Sequence, residues 1–141
     1  EGKKMPLYGD GLNVRDWIYV LDHCWALELC LFKGRFGEVY NIGADNEMSN
    51  REIAKLILNH FGRDESQIEF VADRPGHDRR YAVDSSKIKK ELGWRVKHDF
   101  RKAFVATIKW YLDNPKWIAR VRKKTGVFNP HIDLWRQHKL Q

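Results

Sequence analysis

The stretch IEFVADRPGHDRRY, residues 68–81, joins a predicted strand directly to an arginine-rich loop. Residues 68–71 predict the strand. Pro75 fixes its own φ and Gly76 accepts a positive φ, so this pair suits the centre of a type II turn. Ligands often bind in a loop at the carboxyl end of a strand in α/β proteins. We therefore expect an α/β fold with a functional loop at residues 73–81.

The composition of this loop is suited to an anion. A guanidinium group can grip phosphate oxygens with two hydrogen bonds, which an ammonium group cannot do. The turn is expected to present Arg74 and His77 on its two shoulders. A phosphorylated ligand is the first hypothesis. The alternative is that the arginines of the loop pair at the surface with Asp73, Asp78 and Asp84.

Length and composition indicate one packed globular domain. The chain has 141 residues, of which 43% are hydrophobic, and it contains six tryptophans. No apolar stretch approaches the roughly 20 residues of a membrane span, and no signal peptide opens the sequence, which favours a cytoplasmic protein. Cys24 and Cys30 lie in an apolar run at a spacing that separates them on a helix. We interpret them as buried thiols in neither a disulfide nor a metal site.

The net charge of +7 is concentrated near the C-terminus. Residues 101–141 contain ten Lys/Arg against two Asp/Glu, so the body of the chain is nearly neutral. We expect residues 1–124 to form one lobe and residues 125–141 a basic, aromatic tail. A basic segment with aromatic side chains is also a feature of nucleic-acid-binding modules. The residues of that alternative are the basic run 120–124 with Trp117, Phe128 and Trp135.

Several local patterns predict the order of the elements. Residues 5–8 are extended and lead into a glycine turn at residues 9–11. Residues 14–20 continue as a loop and strand, and residues 21–32 predict a helix so densely apolar that it should be largely buried. A strand is predicted at residues 38–43. The next helix begins with a capping box formed by Ser49 and Glu52 and ends at Gly62. A short helix then ends at Gly93, and Pro115 separates two further helices at residues 100–112 and 116–123.

Five of these segments, taken together, resemble the C-terminal half of dTDP-glucose 4,6-dehydratases, which belong to the extended short-chain dehydrogenase/reductase superfamily. They are PLYGDG at residues 6–11, VRDWIYV at 14–20, YNIG at 40–43, the loop at 73–81 and ELGW at 91–94. The likeness covers about residues 1–120. It implies a small mixed α/β substrate-binding lobe, with the NAD-binding Rossmann half absent from this chain.

The resemblance also implies roles for six residues. Arg15 and Arg74 are similar to the arginines that bind the diphosphate, and Asn50 to a residue at a helix start that contacts the nucleotide. The remaining three resemble residues near the nucleoside: Pro6, Tyr8 and His77. The residues themselves agree with much of this. A helix N-terminus at Asn50 favours anions through its free N–H groups, and an aromatic ring such as Tyr8 can stack on a base.

The catalytic groups of that superfamily are not found in this sequence. It contains no G-x-G-x-x-G, and no tyrosine has a lysine four positions later. By resemblance, then, a parent enzyme converts dTDP-glucose to the 4-keto-6-deoxy sugar with NAD held by the Rossmann half. We expect that parent to be a homodimer and this chain alone to be inactive, with no catalytic residue and no metal ligand of its own.

Three alternatives remain open from the sequence. The first is a UDP-sugar epimerase or decarboxylase, because the chain also resembles the wider superfamily. The selectivity of the site for thymine or uracil would distinguish these enzymes from a dTDP-glucose 4,6-dehydratase. The second is the nucleic-acid-binding module, which lacks a recognised fold motif and is disfavoured. The third is a stand-alone binding protein. Against it, the apolar helix near residues 20–32 suggests that a neighbour is missing, and we expect an exposed apolar patch.

Overall fold

The fold is a small mixed α/β arrangement, seen in a computed structural model that describes residues 2–125. Its strands are short, and its helices carry most of the ordered backbone. The strands are β1 (Met5–Tyr8), β2 (Val14–Asp16), β3 (Glu47–Ser49), β4 (Ile68–Val71) and β5 (Arg80–Tyr81). The helices are α1 (Val20–Lys33), α2 (Asn50–His60), a 3₁₀ turn (Glu65–Gln67), α3 (Ser86–Leu92), α4 (Phe100–Asp113) and α5 (Pro115–Thr125). The predicted α/β class is confirmed.

The described chain forms two compact units. The first contains residues 2–13, 49–79 and 106–125, and the second contains residues 14–48 and 80–105. The chain therefore alternates between the units, and each one draws on separated parts of the sequence. The predicted division at residue 124 stays a prediction, because the tail beyond residue 125 lies outside the described residues.

The first unit is built on a parallel strand pair covered by a helix. Strand β1 pairs with β4, and Leu7 lies opposite Phe70. Burial of apolar side chains from the two strands and α2 stabilises this pair. The buried core consists of Leu7, Ala54, Leu58 and Ile68, with Met5 packed against it.

The turn after β1 explains why the sequence has two glycines there. The Gly11 N–H donates to the Tyr8 carbonyl at 3.0 Å. Gly11 has a φ of +72°, and a Cβ on it would lie 2.3 Å from Leu7 Cδ2. Both the positive φ and the close approach of a core side chain exclude other residues at this position without strain. The predicted turn at residues 9–11 is confirmed.

The second unit contains a three-stranded sheet in the order β3-β2-β5, in which β2 and β5 are parallel. Helices α1 and α3 supply the core beside it. That core consists of Ala26, Leu29, Ile88 and Trp94. The Trp94 indole N–H donates to the Asp22 carbonyl at 3.1 Å, so the largest buried side chain is also hydrogen-bonded. This agrees with the rule that buried polar groups find partners.

The local start and stop signals predicted from sequence are confirmed. Ser49 caps α2, its Oγ accepts from the Glu52 N–H at 3.2 Å, and the Glu52 carboxylate accepts from the Ser49 N–H at 2.7 Å. Gly62 and Gly93 follow their helices with positive φ. Pro115 begins α5, and Asn114 alone separates it from the end of α4 at Asp113. These signals are correct because they depend on neighbours within four residues of the chain.

Two expectations in the second unit are wrong. Residues 38–43 form no strand, because no described strand lies beside them to supply a ladder. Helix α1 is not largely buried: only Asp22, Ala26 and Leu29 are, and several of its large apolar side chains face outward. The apolar surface expected from this helix is therefore present, although the helix itself is not enclosed.

The cysteines are also less buried than expected. Cys24 is exposed and Cys30 is half-buried, and both thiols are free. Both cysteines lie on α1, and only part of the apolar face of α1 packs against the core. Their position in an apolar run of the sequence therefore did not predict their burial correctly. Within residues 2–125, no helix combines the length and apolarity required to cross a membrane.

Candidate functional site

Asp73 organises the loop that follows β4. Its Oδ1 accepts a hydrogen bond from the Arg74 N–H at 2.9 Å and lies 2.6 Å from His77 Nδ1. Gly76 between them has a φ of +66°, as the predicted type II turn requires. The His77 side chain is only 5% exposed, whereas Arg74 is exposed. The loop therefore holds its histidine in one orientation and leaves Arg74 at the surface.

The arginines of the loop have different partners from those considered in the sequence. Arg79 donates to both carboxylate oxygens of Asp10, at 2.8 and 3.0 Å. Arg80 donates twice to Glu47, each time at 2.6 Å. Among residues 2–125, no acceptor meets the Arg74 guanidinium. Among residues 2–125, surface pairing thus accounts for two of the three arginines of the loop and not for Arg74.

These pairs also shift the pKa values of the carboxylates. The Arg79 hydrogen bond, with help from the Leu12 N–H, lowers the pKa of Asp10 below its usual 3.8. In the same way, the Arg80 hydrogen bond lowers the pKa of Glu47. A hydrogen bond to the charged form favours that form. Both carboxylates are therefore ionised near neutral pH and neutralise their arginines.

Tyr8 and His77 lie together in the first unit. Their ring centroids are 6.1 Å apart, and the rings meet edge to face at 81°. Tyr8 ends β1, and Pro6 lies two positions earlier on the same strand, where it is half-buried opposite Glu69. Residues on one strand separated by two face the same side. The structure thus places Pro6, Tyr8 and His77 in one unit, but their contact with a nucleoside stays a prediction.

The start of α2 does not offer the free N–H groups expected at Asn50. The Asn50 N–H donates to the Asn13 carbonyl at 3.0 Å, and the Arg51 N–H donates to the Gly11 carbonyl at 2.8 Å. The next N–H, of Glu52, is bound by the Ser49 cap. The argument from a helix N-terminus is therefore wrong here, because the chain itself occupies these donors. A role for Asn50 has to come from its side chain.

Arg15 lies in the second unit, on β2. Its guanidinium donates to the Val14 carbonyl at 2.6 Å. It lines a cavity of about 360 Å³ whose other walls are residues 16, 18, 23, 40–43 and 81–83. The neighbouring Asp16 carboxylate accepts hydrogen bonds from the Ala44 and Asn46 N–H groups, at 2.7 and 2.9 Å.

Two residues that contact the loop were not singled out in the sequence. Asp10 accepts the two hydrogen bonds from Arg79 described above. Its position between two glycines predicted a turn and no partner for its carboxylate. Asn13 is 2% exposed and donates through Nδ2 to the Asp78 carbonyl at 3.2 Å. Its own carbonyl accepts from the Asn50 N–H, so Asn13 joins the loop to α2. No sequence pattern could have identified Asn13, because its partners are far away in the chain.

Three glycine positions and the start of α2 do not fit an NAD pyrophosphate. A dinucleotide site needs glycines that let the backbone approach the phosphates and a helix N-terminus with free N–H groups. At Gly9, Gly11 and Gly43, the space beside the Cα is taken by side chains of this chain, namely those of Asp73, Leu7 and Asp16. The donors at the start of α2 are occupied as well. Within residues 2–125, no group of His, Cys, Asp and Glu is arranged to hold a metal ion.

Comparison with known proteins gives a consistent family. The family model described as GDP-mannose 4,6 dehydratase matches residues 1–107. A dTDP-glucose 4,6-dehydratase of Xanthomonas campestris pv. campestris is 47% identical over 129 residues, which are 85% of this chain and 37% of that protein. The chain thus spans little more than a third of the length of this curated relative.

Solved structures agree with the sequence comparison. The dTDP-glucose 4,6-dehydratase of Bacillus anthracis str. Ames, in complex with NAD, is 51% identical with a TM-score of 0.77, over 82% of this chain and 37% of that one. The UDP-glucose 4-epimerase of Thermotoga maritima, with UDP-glucose, is 30% identical with a TM-score of 0.73, over 79% of this chain and 36% of that one. The chain matches the C-terminal part of such enzymes. These likenesses give the nucleic-acid alternative no support.

Proposed function

The chain belongs to the GDP-mannose 4,6-dehydratase family, and we propose that it is the nucleotide-sugar-binding part of a dTDP-glucose 4,6-dehydratase. The observation that carries the proposal is the loop at residues 73–81. It leaves the Arg74 guanidinium exposed and without a carboxylate among residues 2–125, while Asp73 holds His77 beside Tyr8. An arginine in that state can bind the diphosphate of a sugar nucleotide with two charge-assisted hydrogen bonds.

By the family resemblance, we also propose nucleotide-binding roles for the other five predicted residues. Arg15 would bind the diphosphate, the Asn50 side chain the nucleotide, and Pro6, Tyr8 and His77 the thymidine. The identity to the dTDP-glucose 4,6-dehydratases compared above is 47–51%, against 30% for the UDP-glucose 4-epimerase, which favours the dTDP branch. The UDP-sugar enzymes remain the second candidate, because a diphosphate grip does not select the base.

The chemistry of the proposed enzyme depends on the part that this chain does not span. By the family resemblance, NAD and the Tyr-x-x-x-Lys pair belong to that part. The proposed parent is a cytoplasmic homodimer. The 141-residue chain alone therefore forms no 4-keto-6-deoxy sugar from dTDP-glucose, and a turnover assay with added NAD that detects product would contradict this proposal.

The proposal is tested best in a full-length protein. We define the chimera as the part of the Bacillus anthracis relative that this chain does not match, followed by this chain. Calorimetry measures its binding of dTDP, UDP and GDP, with dTDP expected to bind most tightly. Loss of two charge-assisted hydrogen bonds in Arg74→Ala should weaken dTDP binding by about 10- to 100-fold.

Arg79→Ala is the matched control for Arg74→Ala. It removes the same kind of side chain from the same loop, but that guanidinium is already bound to Asp10. We expect Arg79→Ala to leave dTDP binding within about twofold of the unmodified chimera. Equal losses for the two variants would refute the role of Arg74. If the folded chimera binds UDP more tightly than dTDP, the chain is instead part of a UDP-sugar enzyme, the second candidate.

A further inference from the structure

Asn13 contacts two segments of the first unit that carry proposed nucleotide-binding residues. Its side-chain Nδ2 donates at 3.2 Å to the carbonyl of Asp78, 65 positions away, in the loop that contains Arg74 and His77. Its backbone carbonyl accepts from the Asn50 N–H at 3.0 Å, at the start of α2. Asn13 therefore bridges the loop and α2, although none of the nucleotide-binding roles proposed above falls on it.

The turn after β1 contacts the loop at both of its ends. Where the loop begins, the Gly9 N–H donates to the last carbonyl of β4 at 2.9 Å. The Asp73 side chain fills the space beside the Gly9 Cα, so that its Oδ2 would lie 2.9 Å from a Cβ there. Where the loop ends, Asn13 binds the carbonyl of Asp78, which directly follows His77. The turn therefore determines where both ends of the loop lie.

Asn13 and Arg79 both anchor the far end of the loop, but the two anchors differ in burial. Arg79 pairs with Asp10, and these side chains are 61% and 53% exposed, so their ion pair contributes little to the order of the loop. Asn13 is only 2% exposed, and a buried amide that loses its partner cannot replace it with bulk water. Within residues 2–125, its Oδ1 has no hydrogen-bond partner, so the bond from Nδ2 to Asp78 is what orients this side chain.

We propose that Asn13 is a positioning residue for the nucleotide, whose side-chain amide holds the loop in the conformation from which Arg74 and His77 meet a sugar nucleotide. The proposal rests on the proposed function and adds to it a residue that acts through the loop and not by contact with the ligand. A guanidinium binds a diphosphate with two hydrogen bonds only in the right orientation. A loop that is ordered before binding also reduces the entropy cost of forming the complex.

Amide order parameters from ¹⁵N relaxation test the anchor without any nucleotide. In the 141-residue chain, Asn13→Ala should lower the order parameters of residues 76–78 from about 0.85 to below about 0.6, the range of flexible backbone. The α2 amides should stay unchanged, because the variant keeps the backbone carbonyl that accepts from Asn50. Arg79→Ala is the matched control and should leave residues 76–78 ordered, since it removes the exposed anchor and keeps the buried one.

Calorimetry of dTDP binding to the chimera tests the link between the anchor and the ligand. Asn13→Ala should weaken dTDP binding by about tenfold, the size of one lost buried hydrogen bond. In the Arg74→Ala background, the same change should cost less than about threefold, because the guanidinium that Asn13 places is already gone. A residue that only stabilised the fold would give the same loss in both backgrounds.

Asn13→Asp gives a rescue that depends on pH. An ionised carboxylate at this position lacks the donor and repels the Asp78 carbonyl, whereas a protonated carboxyl can donate to it. Burial raises the pKa of a carboxyl, so we expect protonation between about pH 8 and pH 5. Relative to the unmodified chimera at the same pH, Asn13→Asp should bind dTDP about tenfold more weakly at pH 8 and within about threefold at pH 5. Asn13→Ala should show no such recovery.

Two outcomes would overturn the proposal. One is unchanged order of residues 76–78 in an Asn13→Ala chain whose α2 amides show that it is folded. The other is a loss of dTDP affinity that is equal with and without Arg74. If Asn13→Ala does not fold, Asn13→Asp decides, and an equal relative affinity at the two pH values would refute the positioning role.

Failure of the proposed function gives a different pattern. The unmodified chimera would then bind no dTDP, while residues 76–78 would still lose their order in Asn13→Ala. That result would refute the sugar nucleotide as the ligand of the loop and support Asn13 as its anchor.

Discussion

The Asp22 carboxylate is the buried polar group whose removal should weaken the second unit most clearly. It is 1% exposed, and it accepts hydrogen bonds from the Lys97 N–H at 3.1 Å and from His98 Nδ1 at 2.8 Å. A third donor, the His98 N–H, lies at 3.4 Å, which is too long to count for much. These bonds hold the segment after Trp94 against the first turn of α1.

The expected loss follows from what Asp22→Ala leaves behind. The partly buried Lys97 N–H loses its acceptor, which costs about 1–3 kcal/mol. The His98 ring is 45% exposed and can turn to water, so its lost bond adds only about 1 kcal/mol. We therefore expect Asp22→Ala to lower the free energy of unfolding by about 2–4 kcal/mol. Asp22→Asn keeps an acceptor oxygen and should lose about half as much.

Urea unfolding followed by circular dichroism measures these values. The midpoint should fall at an unchanged m-value if the native state alone is weakened. Asp113→Ala is the control, because that carboxylate pairs with Lys109 at the surface and should contribute within about 0.5 kcal/mol. A loss below 1 kcal/mol for Asp22→Ala, or a loss equal to that of Asp113→Ala, would refute the reasoning.

Two further predictions concern the first unit. Gly11→Ala should destabilise the chain by about 2–5 kcal/mol in urea unfolding, because a positive φ and overpacking against Leu7 act together. Gly62→Ala, which has a positive φ but open space around it, should cost only about 1–2 kcal/mol. Arg79→Ala should destabilise the chain at neutral pH but not in acid. The Arg79 hydrogen bond lowers the pKa of Asp10, so its stabilisation is present above pH 3.8 and is lost as the pH falls through the lowered value.

Either of two results would contradict these predictions. Equal losses for the two glycine variants would show that the close approach to Leu7 costs nothing. A difference between the Arg79→Ala variant and the unmodified chain that does not decrease as the pH is lowered below 3.8 would show that the Asp10 carboxylate is not its source.

The features predicted correctly from the sequence are those that nearby residues decide. The capping box of Ser49 and Glu52, the turn at Gly76 and the break before Pro115 each need only a few consecutive residues. The apolar residues of β1 and β4 likewise identified two strands. The family resemblance was also within reach, because it depends on short motifs in a fixed order.

The partners of the charged groups could not be predicted in this way. Arg79 pairs with Asp10, 69 positions away, while Arg74 from the same loop has no acceptor among residues 2–125. In the sequence, the two arginines look alike. The difference arises because the chain turns back after β1 and places the Asp10 carboxylate within reach of one guanidinium and not the other.

By itself, then, the sequence determined the helices, the strands β1 and β4, several caps and turns, and the family to which the chain belongs. Only the tertiary structure decided which arginines of the loop pair with a carboxylate among residues 2–125, that Asn13 and Gly11 occupy the donors at the start of α2, and that residues 40–43 join no described strand. The physical reason is the range of the interactions. Caps and turns are satisfied within a few residues, whereas strand pairing and ion pairing depend on which distant segments the fold brings within about 3 Å.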